Sequence, residues 1–363
     1  MSCLRLIADD LTGALDSAAQ FTGALGPLPV LTKPGVAQPP GSFVLNLSCR
    51  DGTAAEAIAL SRRTVPSFRG ADIAYKKIDS LLRGHWAAEL AAILATGIFE
   101  RVILAPAFPA QGRFTIDGIQ VIAKPGGLFE RIDDPMAALS SYGIGRDGEQ
   151  TDRTELILAD ARSDADLSKV VSRFRDAPCT LWCGAAGLAQ ALAGKPAVPV
   201  RRESTPHLVV IGSHHPVTLD QINRFAASFP GCIVRFRSDG VAGAEAIQEV
   251  MRARGTCIAI PDIPLGQSPL DAALLIDDWI GALTRHLAAP AVLTVVGGET
   301  FASCCRHLDA DTLSVEGECE PGIPASRMTI GLWRGTLCFS KSGAFGSPDW
   351  LLHHTGASRT ALN

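Results

Sequence analysis

Two aspartates, Asp9 and Asp10, directly follow the apolar run Leu4–Ala8 and directly precede a helix-compatible segment. One aspartate is enough to cap a helix by accepting its free N–H groups. A second adjacent carboxylate adds like-charge repulsion unless a cation or a hydroxyl-bearing ligand lies close. The pair therefore points to binding or acid–base work more than to capping alone. A second cluster, Tyr75-Lys76-Lys77-Ile78-Asp79-Ser80-Leu81-Leu82-Arg83-Gly84, again follows a predicted strand and opens a helix. Lys76, Lys77, Asp79, Ser80 and Arg83 are its chemistry-bearing members, and an arginine there can grip a carboxylate through two parallel hydrogen bonds. A third segment runs from Ala105 through Pro106 and Pro109 to Gly112-Arg113. Its prolines stiffen the loop and its glycine permits an unusual backbone angle before the Arg113 cation, which suits an anion. Arg50 follows the run Phe43–Leu47 and reaches the same crevice by strand order. The competing readings are a solvated charged turn for the second cluster, a crossover loop with an exposed arginine for the third, and a surface ion pair for Arg50.

Two glycine-rich turns mark the second half. Val295-Val296 leads into Gly297-Gly298-Glu299-Thr300, and Lys341-Ser342-Gly343 precedes Ala344-Phe345-Gly346. Glycines let a phosphate approach the backbone, and a helix start aims free N–H groups at it. The competing account is a pair of tight βα turns, with Thr300 capping the helix. Ser213 lies in Gly212-Ser213-His214-His215, where capping or a hydrogen bond to a nucleotide suits it. Adjacent histidines on extended backbone point to opposite sides and rarely chelate one ion.

The elements that must position these residues alternate. Short apolar runs at Leu4–Ala8, Phe43–Leu47, Ala71–Tyr75, Arg101–Ala105, Glu155–Ala159 and Thr180–Cys183 predict strands. Helices are predicted from Thr12, Thr53 and His85. That rhythm predicts an α/β fold with mostly parallel sheets. The proline-rich, mixed-charge stretch Lys195–His207 reads as a linker. Beyond it the rhythm restarts, with strands at His207–Ile211, Ile233–Phe236, Cys257–Ile260 and Ala291–Val296. Helices there are predicted at Pro216–Ala227, Ala242–Arg254, Pro269–Leu287 and Phe301–Leu308, and a terminal hairpin at Met328–Phe339 turning at Arg334-Gly335. Two domains are expected, 1–200 and 207–363, each a mostly parallel sheet flanked by helices, with a cleft between them.

At 363 residues and 47% hydrophobic content the chain can bury one or two full cores, which excludes a disordered protein. Its 33 Lys and Arg against 37 Asp and Glu leave a net charge of −4, so no broad positive field invites duplex nucleic acid. The N-terminal apolar run ends in two aspartates, unlike a secretory signal, and the charge-free stretch from Ala177 to Gly194 is broken by proline and glycine. The reading is a cytoplasmic protein with no membrane partner. Ten cysteines without paired CxxC spacing read as buried hydrophobes, with no metal site.

Together the motifs resemble the four-carbon acid sugar kinase family, whose members are two-domain, ATP-dependent kinases acting on threonate, erythronate or 3-oxo-tetronate. ADDLTGALDSA, KKIDSLLRG and PAFPAQGR match its sugar-acid domain, and GSHHPVT, VGGET, PGIPASRM and KSGAFG its nucleotide domain. The resemblance spans nearly the whole chain. It implies sugar-acid contacts around Asp9, Asp10, Lys77, Asp79, Arg83 and Arg113, and ATP contacts at Ser213, Gly297, Gly298, Glu299, Thr300 and Gly343. Cys49-Arg50-Asp51 stands where the family usually has Thr-Arg-Ser, and Gly212-Ser213-His214-His215 where Gly-Ser-Cys-Ser is frequent. The implied reaction moves a phosphoryl group from ATP to a terminal hydroxyl. Asp10 or Asp79 would be the base, Arg50 would join the acid-binding cations, Lys341 would neutralise phosphate charge, and Mg2+ would ride on the phosphates, with Glu299 near it. A small sugar acid and ATP are the expected partners, and homo-oligomers are compatible with the sequence. The rivals are a sugar-acid binder without turnover, and a dehydrogenase or lyase on a similar acid. The absence of GxGxxG weighs against the dehydrogenase.

Overall fold

The computed structural model describes residues 2–144, 154–201, 205–237, 240–263 and 267–356. The chain forms two compact units, Met1–Val198 and Pro199–Asn363. No helix among the described residues is long and apolar enough to cross a membrane.

The first unit runs β1 (Leu4–Ala8), α1 (Leu11–Leu25), β2 (Leu28–Leu31), β3 (Phe43–Asn46), α2 (Ala54–Thr64), β4 (Ile73–Lys77), α3 (Trp86–Leu94) and β5 (Arg101–Ala105). It continues with β6 (Arg113–Ile116), β7 (Ile119–Ala123), β8 (Phe129–Asp133), α4 (Pro135–Ser140), β9 (Glu155–Leu158), α5 (Asp164–Phe174), β10 (Thr180–Gly184) and α6 (Ala186–Ala193). Seven strands pair in the order β2-β3-β1-β4-β10-β5-β9, all parallel. Their near-continuous apolar character follows from burial on both faces. Leu4, Leu6, Ile7 and Ala8 are all buried, as are Val102 through Ala105. Local chemistry sets the helix starts: Thr53 and Glu56 form a reciprocal capping box on α2, and Ser163 caps α5. Strands β6, β7 and β8 form a separate antiparallel sheet that the strand–helix rhythm did not anticipate.

The second unit runs β11 (His207–Ile211), α7 (Pro216–Ser228), β12 (Ile233–Phe236), α8 (Gly240–Arg254), β13 (Thr256–Pro261), α9 (Pro269–His286), β14 (Val292–Val296), α10 (Gly298–His307), β15 (Thr312–Glu320), β16 (Ile323–Met328), β17 (Leu337–Lys341) and α11 (Trp350–Thr355). Its strands pair in the order β12-β13-β11-β14-β17-β16-β15. The first five are parallel and the last two antiparallel.

Two sequence readings need correction. The β4 strand begins at Ile73 and ends at Lys77, not Tyr75, so both lysines lie in the strand and not in the turn. The hairpin placed at Met328–Phe339 pairs Ala325–Arg327 with Leu337–Phe339, and Arg334-Gly335 belongs to a longer connection. A second hairpin, β15 with β16, turns at Pro321-Gly322. The stretch Lys195–His207 contains the boundary between the units. Val198 N donates to Thr22 Oγ1 at 3.0 Å in the first unit, and Val200 N to the Glu318 carbonyl at 2.8 Å in the second. All ten cysteines are free, and seven are buried.

Candidate functional site

In the first unit Ala8 pairs in register with Asn46 and with Lys77, Lys77 with Gly184, and Gly184 with Ala105. The segments bearing Asp9, Arg50, Asp79 and Arg113 therefore leave the sheet from one row, at the carboxyl ends of the strands. The chain leaves β1 toward β2 and leaves β4 toward β5, in opposite directions along the sheet. Ligands of open α/β sheets bind at such a switch point.

Arg50 organises this edge. Its Nε donates to Asp9 Oδ2 and its Nη2 to Asp9 Oδ1, both at 2.8 Å. The same Nη2 lies 2.6 Å from Asp10 Oδ1, and Nη1 lies 3.8 Å from Asp79 Oδ1. Gly84 makes room for it: with φ at +80°, a Cβ there would stand 2.9 Å from Arg50 Cγ. The surface ion pair weighed for Arg50 is thus an inner one, with only 12% of its side chain exposed. Arg83 holds Asp79 through two hydrogen bonds of 2.9 Å and keeps 62% of its side chain in solvent. Arg113 begins β6, buried, with Nη1 3.3 Å from Gln111 Oε1.

The three carboxylates differ in proton affinity. Burial would raise Asp9, but Arg50, Lys76 and Lys77 outweigh it and hold the carboxyl below its ordinary value. Burial likewise opposes ionisation of Asp79, yet the Arg83 hydrogen bonds and the charges of Arg50, Arg83 and Lys77 hold it well below the usual range. Asp10 goes the other way. Burial raises it, Asp9 and Asp79 add to that, and Arg50 and Lys77 only partly offset them. Asp10 also caps α1, its Oδ1 accepting from Gly13 N at 3.0 Å. Its Oδ2 has no hydrogen-bond partner among the described residues.

The two lysines alternate across the strand. Lys77 turns toward α1, where a Cβ on Gly13 would lie 2.9 Å from its Nζ, and donates to the Ile78 carbonyl at 2.8 Å. Lys76 turns toward α3 and meets Glu89 at 2.7 Å, both fully buried. Burial would lower Lys76, but Glu89 and Asp9 raise it above its ordinary value. Cys49 leans on the same carboxylate, Sγ to Oε2 at 3.6 Å, and its thiol is pushed up to about 12, mainly by burial and then by Glu89.

In the second unit Ile211 pairs with Val296 and Val296 with Lys341, so Gly212-Ser213, Gly297-Gly298 and Ser342-Gly343 also leave from one row. The chain departs β11 toward β12 and β14 toward β15, giving a second switch point. The close fit depends on missing side chains. A Cβ on Gly343 would run into Ser213 Oγ, and one on Gly212 into Thr300 Oγ1. Gly297 sits at φ +125° and is the N-cap of α10, with no side chain capping the helix. Thr300 is therefore not the cap proposed above. It lies buried inside the first turn, and the leading N–H groups of α10 stay open to an anion. Glu299 is exposed in the same turn. His215, not Ser213, caps α7, accepting from Val217 N at 3.3 Å. Ser213 Oγ accepts from His215 N at 3.2 Å. Lys341 is almost fully buried, donates to the Ser342 carbonyl at 3.1 Å and lies 5.3 Å from the Trp350 ring. Burial lowers it to about 8.

Residues 4–138 match the family model of a sugar-binding N-terminal domain, and residues 208–351 that of a nucleotide-binding C-terminal domain. The chain is 28% identical to a D-threonate kinase of Bordetella bronchiseptica, over 98% of this chain and 97% of that protein. It is 26% identical to a 3-oxo-tetronate kinase of Pseudomonas fluorescens, over 96% of this chain and 95% of that protein. The chain belongs to the four-carbon acid sugar kinase family. A crystal structure of a Haemophilus influenzae protein of the DUF1537 family shares the fold, with a TM-score of 0.68 at 17% identity over 97% of this chain and 99% of that one.

In this member of the family several supporting contacts escaped the sequence reading. Lys76 and Glu89 are thirteen positions apart on different elements, and no local pattern joins them. Thr218 and Gln221 of α7 hold the Gly343 loop. Thr218 Oγ1 donates to the Gly343 carbonyl at 2.7 Å, and Gln221 Nε2 to the Ser347 carbonyl at 2.8 Å. Their spacing of three places both on one helix face, which is the signal that was available.

Proposed function

We propose that the protein is an ATP-dependent kinase that phosphorylates the terminal hydroxyl of a four-carbon sugar acid, with threonate, erythronate and 3-oxo-tetronate as the candidates. The observation that carries this reading is the unequal sharing of cations among three carboxylates: Arg50 gives Asp9 two hydrogen bonds, reaches Asp10 with one nitrogen only, and Arg83 holds Asp79. Two are held ionised and below the usual range, while Asp10 is raised and keeps one oxygen open. A raised carboxylate is the better proton acceptor of the three, and Asp79, held well below the usual carboxylate range, is a poor one.

In this reading the substrate carboxylate is taken by Arg83, whose side chain is open to solvent, and by Arg113. Lys77 and Asp79 complete the polar lining. Arg50 is a positioning residue, since its guanidinium is already engaged by Asp9 and Asp10. Asp10 takes the proton from the attacking hydroxyl. The nucleotide phosphates are received by Ser213, by Gly297 through Thr300 at the uncapped start of α10, and by Gly343, with Lys341 as the nearby cation. Among the described residues no three His, Cys, Asp or Glu side chains gather as a metal site. Mg2+ bound to phosphates needs only one or two carboxylates, and Glu299 is the acid in place for that. Bound there, the ion would neutralise phosphate charge.

A coupled assay for ADP release over a panel of four-carbon acids tests the reading. ADP formed only when an acid is present supports it. Tight acid binding without turnover replaces it with a non-catalytic binder.

A further inference from the structure

Gln120 lies on β7, in the small antiparallel sheet and outside the parallel sheet that carries the acidic cluster. It is fully buried, and each end of its amide is used. Its Nε2 donates to the Ser80 carbonyl at 2.8 Å and to the Pro106 carbonyl at 3.3 Å. Its Oε1 accepts from Thr115 Oγ1 at 2.8 Å. Two carbonyls demand the NH2 end, so these partners fix the amide's orientation.

The carbonyls belong to two different loops. Ser80 follows Asp79 in the loop that carries Arg83, and Pro106 opens the loop that leads to Arg113. Their parent strands β4 and β5 are not neighbours, because β10 lies between them. No ladder hydrogen bond can therefore set the spacing of the two loops, and the Gln120 amide spans them. Arg113 itself pairs with Ile122 on β7, two residues along from Gln120.

We propose that Gln120 is a positioning residue that sets the distance between the Asp79–Arg83 pair and Arg113, and so tunes the grip on the sugar-acid carboxylate. The inference rests on the kinase reading given above. Gln120 touches neither reacting group. It acts through the two backbone segments that present the cations.

Chemistry separates this role from plain packing. Gln120→Met keeps the bulk and removes the amide. Gln120→Glu keeps the shape but, when ionised, has no donor and turns negative charge on two carbonyls. Protonated, it regains one O–H donor, and burial among carbonyls raises the pH at which that happens.

The test uses the full chain with a four-carbon acid that the wild type phosphorylates. In Gln120→Met, KM for the acid should rise by about tenfold while KM for ATP stays within about twofold. In Gln120→Glu, kcat/KM for the acid should drop further near pH 8. It should recover by about tenfold relative to wild type as pH is lowered toward 6. Should either variant fail to fold, Thr115→Val reports instead. It removes only the donor to Oε1, and KM for the acid should then rise by about threefold. An acid KM that stays at the wild-type value in folded Gln120→Met, or in Thr115→Val, overturns the inference alone. A wild type that turns over no four-carbon acid overturns the kinase reading and this inference with it.

Discussion

Asp10→Asn is the sharpest test of the proposed chemistry, because the substitution changes charge and basicity while leaving almost everything else in place. Asp10 Oδ1 caps α1 through Gly13 N and meets Arg50 Nη2 at 2.6 Å. Asparagine is among the best N-cap residues, so the cap survives. Arg50 keeps both of its hydrogen bonds to Asp9. The protein should therefore fold with close to wild-type stability. Loss of a general base costs about 10²–10⁴ in rate, or about 2.7–5.4 kcal/mol of transition-state stabilisation. The pH profile adds a second readout. Asp10 is raised above 3.8 by burial and by its two acidic neighbours, and only its ionised form accepts a proton. Wild-type kcat should therefore fall as pH drops through the raised value, by about tenfold per pH unit below it. Asp79, held well below the ordinary range, stays ionised through that window and cannot produce this limb. Steady-state kinetics at saturating acid and ATP, followed from neutral pH down through the acid range, would measure both effects. The reasoning is refuted if Asp10→Asn keeps more than about a tenth of wild-type kcat, or if the acid limb persists in that variant and disappears in Asp79→Asn.

Lys341, lowered to about 8 by burial, should gain a proton when phosphates bind beside it. Nucleotide affinity should weaken as pH rises from about 7 to 9. Calorimetry in buffers of different ionisation enthalpy should show proton uptake in the wild type and none in Lys341→Met. Gly343→Val drives a side chain into Ser213 Oγ and toward His215 Cβ, 3.1 Å from the first added carbon. ATP affinity should fall by about tenfold or more while sugar-acid binding in a titration is unchanged. Arg50→Lys keeps the charge but cannot hold Asp9 through two hydrogen bonds and reach Asp10 as well. Urea unfolding should show a loss of about 1–3 kcal/mol, and an unchanged midpoint would remove Arg50 from its organising place.

The strand–helix rhythm was legible because parallel strands buried on both faces are continuous apolar runs. Leu4–Ala8, Arg101–Ala105 and His207–Ile211 needed no tertiary information. It failed where burial came with charge. Lys76 and Lys77 look like the start of a turn, and only Glu89, reached through the fold, explains a lysine inside a sheet. The small sheet failed for a different reason. Asp117-Gly118 stands between two alternating segments, and both residues adopt positive φ, 51° and 76°. That is the dipeptide a tight hairpin turn calls for, so the signal was present and lost beside the stronger parallel pattern. Gln120 went unseen with it. At the glycine turns the residue types were legible and their roles were not. Thr300 looks like a cap from sequence, but the helix begins earlier, at Gly298, and carries the hydroxyl inward.

The adjacency of Asp9 and Asp10 has its explanation in unequal sharing of one cation. Arg50 gives Asp9 two hydrogen bonds of 2.8 Å, and Lys76 and Lys77 add their charges to the same carboxylate. Asp10 shares one nitrogen of that guanidinium and one backbone N–H, and it faces two negative neighbours. Neighbouring identical groups are thereby pushed apart in proton affinity, the condition for one to stay ionised as structure while the other exchanges a proton. Strand alternation also contributes, because it sends Lys76 and Lys77 to opposite faces beneath the pair. The buried Lys76–Glu89 ion pair then has a role at the site although neither partner reaches it. Lys76 supplies positive charge under Asp9, and Glu89 stabilises that charge inside the core, where a lone ammonium would give up its proton. The pattern of two aspartates, two lysines and an arginine that looked like three separate motifs along the chain is, in the fold, one electrostatic unit whose odd member is Asp10.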